Sequence, residues 1–301
     1  MSVAASTASR PAQERGVPVA VTKAIAGEAR EFPFSDRNFE QLRQIAFEHT
    51  GIVLGENKRQ MMYGRLARRI RQLGLAGFDD YCARLEADLD SELGELVNAI
   101  TTNLTSFFRE NHHFEHLANT ALPEILAHNA GTRRLRIWSA GCSTGEEPYS
   151  IAMTLAESSR LNGWDARILA TDIDTSVVAR ADSGVYPLER VKDMDPQRLR
   201  RWFEKGVGEN AGKLRVNRSL RDLIAFRSLN LLGDWPMRGP FDIIFCRNVV
   251  IYFDKETQRR LFDRFADMLA PHGYLYIGHS ETLFKISDRF KPVGGTIYRK
   301  G

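Results

Sequence analysis

Cysteine is scarce in this chain: Cys82, Cys142 and Cys246 are the three in 301 residues, and none forms a Cys-x-x-Cys pair. That excludes a disulfide scaffold and a thiolate zinc site, and it fits a reducing cytoplasm. Long apolar runs are missing too. No stretch of about 18 apolar residues occurs, so no helix is expected to span a bilayer. The opening MSVAASTASRPAQERG has no apolar core segment and does not read as a signal peptide. A strong charge of one sign is also absent. The net charge is +4 and the pI about 9.0, which permits an acidic partner without requiring nucleic acid. At 43% hydrophobic and 27% charged residues, the composition is that of an ordinary soluble protein, long enough for two domains.

The densest signal is LRIWSAGCSTGEEP, residues 135–148. Leu135, Ile137, Trp138 and Ala140 read as a short strand. Gly141 and Gly145 make a tight turn. Residues 149–158 read as a helix with Pro148 at its entry. Strand, glycine turn and helix set a nucleotide-like ligand against backbone amides in an open α/β sheet. The Gly-Lys-Ser/Thr of a phosphate cradle does not follow. Glu146 and Glu147 stand there instead. They repel a pyrophosphate and favour a cation or a hydroxyl-rich sugar. S-adenosylmethionine, a sulfonium nucleoside, meets that description.

A second strand over 167–170 leads to Thr171 and Asp172. Asp172 at its tip is placed to accept ribose hydroxyls, and Asp174 to cap a helix over 175–181. Strands over 224–229 and Phe241–Cys246 put Asn230, Arg247 and Asn248 just past their ends, where such sheets bind ligands. A strand over 274–277 follows, and 295–299 closes the sheet in a hairpin with the 285–292 region. The excursion over 184–222 is longer than the dozen or so residues of a simple crossover. With a strand at Lys213–Val216 and the turn GVGENAG, it reads as an inserted β-subdomain able to take a peptide by strand addition.

Residues 1–30 lack a bulky apolar pattern and read as a flexible tail. Residues 31–101 read as helical throughout. The first helix starts at Ser35 or Asp36, carries Phe39, Leu42, Ile45 and Ala46 on one face, and stops at Gly51. A second covers 56–73 with Met62, Leu66, Ile70 and Leu73 as its stripe. Shorter pieces follow over 78–86 and 91–100. The second helix carries six Lys/Arg, among them Lys58, Arg65, Arg68, Arg69 and Arg71, against one acid, Glu56. Such a field steers an acidic partner and is screened by salt. A solvated face is the plainer use. Residues 102–301 form the second domain, with 184–222 inserted in it. The polar segment from Thr101 joins the domains and is placed to close over the glycine turn. His112 and His113 point about 100° apart on a helix and make a poor metal pair, so no metal is expected.

Residues Gly141 to Gly145 also fit Gly-x-Ser-x-Gly, a hydrolase nucleophile elbow, with His279 past a strand as an available base. Two glutamates beside that elbow would oppose an oxyanion. Cys142 packs more simply as a small residue than as a nucleophile. Enzymes that methylate amino groups of nucleic acids often carry Asn-Pro-Pro-aromatic after the fourth strand. Here Arg247 to Tyr252 contains no proline, which weighs against an amino acceptor.

In order along the chain, TNLTSFFRENHHF, IWSAGCSTGEEPYSIA, ATDIDT, SLNLL, FDIIFCRNVVIYFD and GYLYIGHSE resemble the chemotaxis receptor glutamate O-methyltransferases, the CheR family. The resemblance covers about residues 34–299. It implies an all-α N-terminal domain joined to a class I S-adenosylmethionine-dependent methyltransferase domain, an α/β fold with a Rossmann-like sheet and an inserted antiparallel β-subdomain. It implies that Asn103, Thr105 and Arg109 contact the cofactor, S-adenosylmethionine, whose product is S-adenosylhomocysteine. Glu147 would hold the amino end and Asp172 the ribose. Asn230, Leu231, Arg247 and Asn248 would line the adenosine side. Arg109 and Tyr252 are the implied catalytic residues, Arg109 orienting a carboxylate and Tyr252 beside the methyl group. The implied substrates are glutamates on cytoplasmic helices of chemoreceptors, aligned by the basic helix from Lys58 to Arg71. A receptor C-terminal peptide on the β-subdomain is a further implied partner. We expect a cytoplasmic monomer at chemoreceptor arrays, with no nucleic acid and no membrane insertion. Relatives often carry alanine at the Gly141-Cys142 step, and all these residues are small.

Overall fold

The computed structural model describes residues 31–301; the tail expected over 1–30 lies outside the described residues. Four helices come first: α1 (Asp36–Thr50), α2 (Arg59–Leu73), α3 (Phe78–Ala87) and α4 (Leu89–Ile100). The start of α1 is fixed by a capping box. The Ser35 hydroxyl accepts the Asn38 N–H while the Asn38 side chain accepts the Ser35 N–H. The apolar faces meet in a core containing Phe39, Leu42, Met62, Leu66, Ile70, Tyr81 and Leu96.

The basic helix does not present one uniform face. Arg69 makes two bonds to Glu92, at 2.7 and 2.9 Å, and the Glu92 side chain is fully buried. Arg65 donates to the carbonyls of Ala99 and Thr101. Arg59 pairs with Asp36 at 2.6 Å. These three arginines hold the bundle together, whereas Arg68 is exposed. A buried acid on α4 is what separates Arg69 from its neighbours, and helical spacing on α2 alone does not reveal it.

Two short helices, α5 (His112–His116) and α6 (Leu122–His128), lead into a seven-stranded sheet. Its strands are β1 (Arg134–Ala140), β2 (Asp165–Asp172), β6 (Ile224–Ser228), β7 (Phe241–Cys246), β8 (Leu269–Ile277), β9 (Phe290–Gly294) and β10 (Ile297–Lys300). Between β2 and β6 lie β3 (Val185–Pro187), β4 (Phe203–Lys205) and β5 (Lys213–Val216), which form a separate antiparallel sheet in the order β3-β5-β4. Helices α7 (Glu146–Glu157), α8 (Thr175–Ser183), α9 (Pro196–Trp202), α10 (Arg218–Arg221) and α11 (Lys255–Met268) complete the chain.

The large sheet runs β6-β2-β1-β7-β8-β10-β9. It is parallel from β6 to β8, and β10 enters antiparallel between β8 and β9. Alternate residues feed two apolar layers. Ile137 and Phe245 face the layer that holds Leu122 and Tyr149. Trp138 and Ile244 face the layer that holds Phe262 and Phe265. β1 pairs with β2 on one side and β7 on the other, so the strand order reverses at β1. In open α/β sheets the crevice past that reversal is the ligand site. Among the described residues, no helix is long and apolar enough to cross a membrane.

Candidate functional site

The site is built from the turn after β1. Gly141 has φ +94°, and a Cβ there would lie 2.3 Å from a Val249 methyl. Its smallness is therefore required here, beyond being tolerated. The N–H groups of Gly141 and Cys142 both donate to the Thr171 carbonyl at 2.8 Å, which ties the turn to the tip of β2. Gly145 has φ +96°, and a Cβ would meet Ala181 and the Tyr186 hydroxyl at 2.8 Å. Helix α7 then begins at Glu146, three residues before the start that its apolar pattern suggested. Both glutamates thus sit in the first turn, where unpaired N–H groups favour negative charge.

Glu147 is buried. It accepts from the Ser139 hydroxyl at 2.8 Å and from Arg247 at 3.0 Å. Burial pushes its carboxyl above the usual range, and Arg247 opposes that push. The Arg247 side chain is only 2% exposed. It also lies 3.3 Å from Glu110 and donates to the Arg109 carbonyl. For Glu110, burial would raise the pKa. A 2.9 Å bond to His279 and the Arg247 charge outweigh it and hold the group at about 2.

Asp172 accepts the Ser143 N–H at 2.8 Å on one oxygen and the Asp174 N–H at 3.1 Å on the other. Burial pushes its pKa up to about 6. Asp174 caps α8 through the N–H groups of Ser176 and Val177, as its position past β2 suggested. Its second oxygen takes the Thr101 hydroxyl and the Asn103 amide, each at 2.7 Å. The interdomain segment is also pinned from the other side. Ser143 donates its hydroxyl to the Asn103 carbonyl at 3.1 Å, and the Phe108 N–H reaches the Ser150 hydroxyl at 2.9 Å.

One crevice of about 1120 Å³, partly open to solvent, is lined by Asn103, Thr105, Arg109, Glu147, Asp172, Asn230, Leu231, Arg247, Asn248 and Tyr252 together. The helical domain supplies the opposite wall with Ile52, Val53, Leu54 and Lys58. Backbone and side-chain bonds seat that wall. Val53 N–H donates to the Tyr252 carbonyl at 2.9 Å, and the Asn230 amide to the His49 carbonyl at 2.7 Å. Arg109 donates to the Leu104 carbonyl at 2.8 Å. Burial raises the Tyr252 hydroxyl pKa, against the Arg109 charge and a bond with Thr102.

Glu110, Ser139, Glu281 and the 52–54 wall did not stand out in the sequence. Glu281 accepts the N–H groups of Asn248 and Val250 at 2.9 and 3.0 Å and so shapes the loop carrying Asn248. The motif GHSE held that glutamate, but only topology shows what it binds. The hydrolase alternative has no support in the geometry. Ser143 bonds a carbonyl, and His279 bonds Glu110. His112 and His113 each bond the Gly295 carbonyl at 2.9 Å.

Residues 37–101 match the family described as CheR methyltransferase, all-alpha domain, and residues 103–299 match CheR methyltransferase, SAM binding domain. The chain belongs to the CheR methyltransferase family. Chemotaxis protein methyltransferase 2 of Pseudomonas aeruginosa is 49% identical over 275 residues, covering 89% of this chain and 95% of that one. The chemotaxis protein methyltransferase of Klebsiella aerogenes is 44% identical over 296 residues, covering 97% of each. That of Escherichia coli is 43% identical over 284 residues, covering 94% and 97%. The cofactor of this CheR-family chain is S-adenosylmethionine. The crevice fits it on the chemistry of its walls. Glu147 and Asp172 are both buried and both held above the usual carboxylate range. A cationic donor relieves that condition by favouring the ionised forms. Both Asp172 oxygens accept backbone N–H groups, and the carboxylate, with about four lone-pair sites, retains room for a hydroxyl.

Proposed function

We propose that this CheR methyltransferase esterifies glutamate side chains on cytoplasmic helices of chemoreceptors; its relatives are named chemotaxis protein methyltransferases. When bound, the cofactor supplies an electrophilic methyl group. Glu147 receives the amino end of the donor, Asp172 the ribose, and Asn103, Thr105, Asn230, Leu231, Arg247 and Asn248 enclose the rest. The observation that carries the acceptor assignment is Arg109. Arg109 lines the crevice; among the described residues its guanidinium makes one hydrogen bond, to Leu104, and lies 4.0 Å from Glu110. Donors remain for a bidentate grip on a carboxylate. A glutamate is already ionised at neutral pH, so the enzyme needs no general base. It must orient two reactants and exclude water between them. Label transferred from methyl-labelled cofactor to receptor cytoplasmic fragments should be released by base as methanol. A base-stable product would mean N- or C-methylation and would end the proposal.

Asp172 makes donor binding sensitive to pH. Hydroxyls donating to it favour its ionised form, so binding lowers a pKa that starts at about 6. Below that pH the free protein holds a proton that the complex releases. Affinity for S-adenosylhomocysteine should therefore fall as pH drops through about 6 and level off above it. Calorimetry at acidic and neutral pH, in buffers of different ionisation enthalpy, will report that proton. Asp172→Asn should remove the part of the dependence centred at about 6.

Receptor helices rich in glutamate would approach along the exposed side of α2. Reversing the exposed Arg68 to Glu should raise the acceptor KM several-fold at low salt and flatten its salt dependence, with kcat nearly unchanged. An unchanged KM would reduce this side of α2 to a solvated face. Arg69→Glu is unsuitable for that test, because it would set a second acid against buried Glu92. In the small sheet, β3 and β4 are edge strands, and either offers backbone to an extended receptor tail.

A further inference from the structure

We infer that Arg190, carried by the small β-subdomain, is a positioning residue for the donor crevice. The inference rests on the crevice being the donor site. Arg190 ends a short turn, Leu188–Arg190, between β3 and α9. One arm of its guanidinium donates to the Thr105 carbonyl at 3.3 Å, and the other lies 3.5 Å from Glu146 Oε1. Thr105 lines the crevice. Glu146 opens α7 beside Glu147, and its side chain is fully buried. The Thr144 hydroxyl satisfies Glu146 Oε2 at 2.6 Å, whereas Oε1 is buried with no hydrogen bond among the described residues. The charge of Arg190 is what faces that oxygen.

The neighbouring side chains repeat the linkage. Phe107 packs edge-on against Tyr186 of β3 and Phe203 of β4, with ring centroids 5.0 and 5.7 Å apart. Tyr186 in turn donates its hydroxyl to the Thr144 carbonyl at 2.7 Å. The methyltransferase core thus holds the interdomain segment at Asn103 and at Phe108, and the inserted subdomain holds the stretch between them, over 105–107. A forked guanidinium can bind a carbonyl and a carboxylate at once, which an ammonium group cannot do with the same geometry. Arg190 thus sets where Thr105 and the start of α7 stand relative to each other, although it does not line the crevice itself.

Calorimetric titration of the full chain with S-adenosylhomocysteine tests this, together with steady-state methylation of a receptor fragment. Arg190→Ala should weaken binding about tenfold, the scale of one charge-assisted hydrogen bond. The donor KM should rise in parallel, while kcat at saturating donor and the acceptor KM stay within about twofold. Arg190→Lys keeps the charge beside Glu146 and loses the fork, so it should fold as the parent does and weaken binding by about three- to fivefold. Wild-type affinity and donor KM in Arg190→Lys, or in a folded Arg190→Ala, would overturn the inference. Asp172→Ala is the control for the crevice. If it too binds as wild type, the donor site lies elsewhere, and that failure is separable from the first.

Discussion

Arg247→Ala should destabilise the protein by about 3–5 kcal/mol, the usual consequence of removing one partner from a buried ion pair. At about 2–4 °C per kcal/mol for a chain of this class, the midpoint of thermal unfolding should drop by roughly 6–20 °C. The side chain is 2% exposed and lies between Glu147 at 3.0 Å and Glu110 at 3.3 Å. It also holds the Arg109 carbonyl and stacks over Phe114. Without it, two poorly solvated carboxylates lose their shared counter-charge. The pH dependence distinguishes this account from simple loss of packing. Glu110 has a folded pKa of about 2, below the ordinary ~4.3 of a glutamate. Its contribution to stability is present above the ordinary value and is lost as pH falls toward the folded one. In the alanine variant part of that depression is gone. Its deficit should be largest near neutral pH and should shrink in acid, where wild type loses the same contribution. Melting curves at neutral pH and at steps from pH ~4 down to ~2 would show the two proteins converging below ~4. A constant gap would leave only packing. Arg247→Lys should recover little, since one ammonium cannot reach two carboxylates and a carbonyl in that geometry.

How much of this was legible beforehand depended on range. The strand, glycine turn and helix around Gly141 and Gly145 are local, and the chain showed them directly. So did the cap at Asp174 and the helices of the N-terminal domain. The mostly parallel large sheet and the small antiparallel sheet agree with what the CheR resemblance implied, and all ten singled-out residues line one crevice. What stayed hidden was partner identity. Arg69 looked like its neighbours on α2 until α4 brought Glu92 beside it. Glu110 drew no notice because its partners, Arg247 and His279, come from the far half of the chain. The start of α7 was misplaced because its first turn holds Glu146, Glu147 and Pro148, none of which shows apolar periodicity. The wall at 52–54 is a plain apolar loop, and nothing in it signals a ligand. Periodicity encodes which face is buried. It does not encode which distant charge a buried face will meet.

Arg109→Ala should have the opposite signature to Arg247→Ala: a large catalytic loss in a chain that melts almost as wild type. The Arg109 side chain is partly exposed, at 29%, and among the described residues its one hydrogen bond is to a carbonyl of its own segment. Little of the fold leans on it. What it offers is a positive fork at the wall of the donor crevice, in a backbone fixed from both sides. Phe108 and Glu110, its two neighbours, both hold positive φ, at 52° and 57°, a conformation that non-glycine residues adopt only when their surroundings enforce it. The Arg247 bond to the Arg109 carbonyl and the Ser150 bond to Phe108 supply that enforcement. Removing a preorganised donor of this kind typically lowers kcat by about 10²–10³-fold. Tyr252→Phe should cost less, about tenfold, with S-adenosylhomocysteine affinity nearly unchanged, because the ring and its place on the crevice wall survive. Burial keeps that hydroxyl protonated, so it can donate to the acceptor but does not serve as a base. The two variants therefore divide the chemistry: loss of activity in both at normal product affinity assigns them to the acceptor, and loss of product affinity in step with activity assigns them to the donor. Wild-type turnover in both would remove them from catalysis and leave the acceptor held by groups on the receptor side alone.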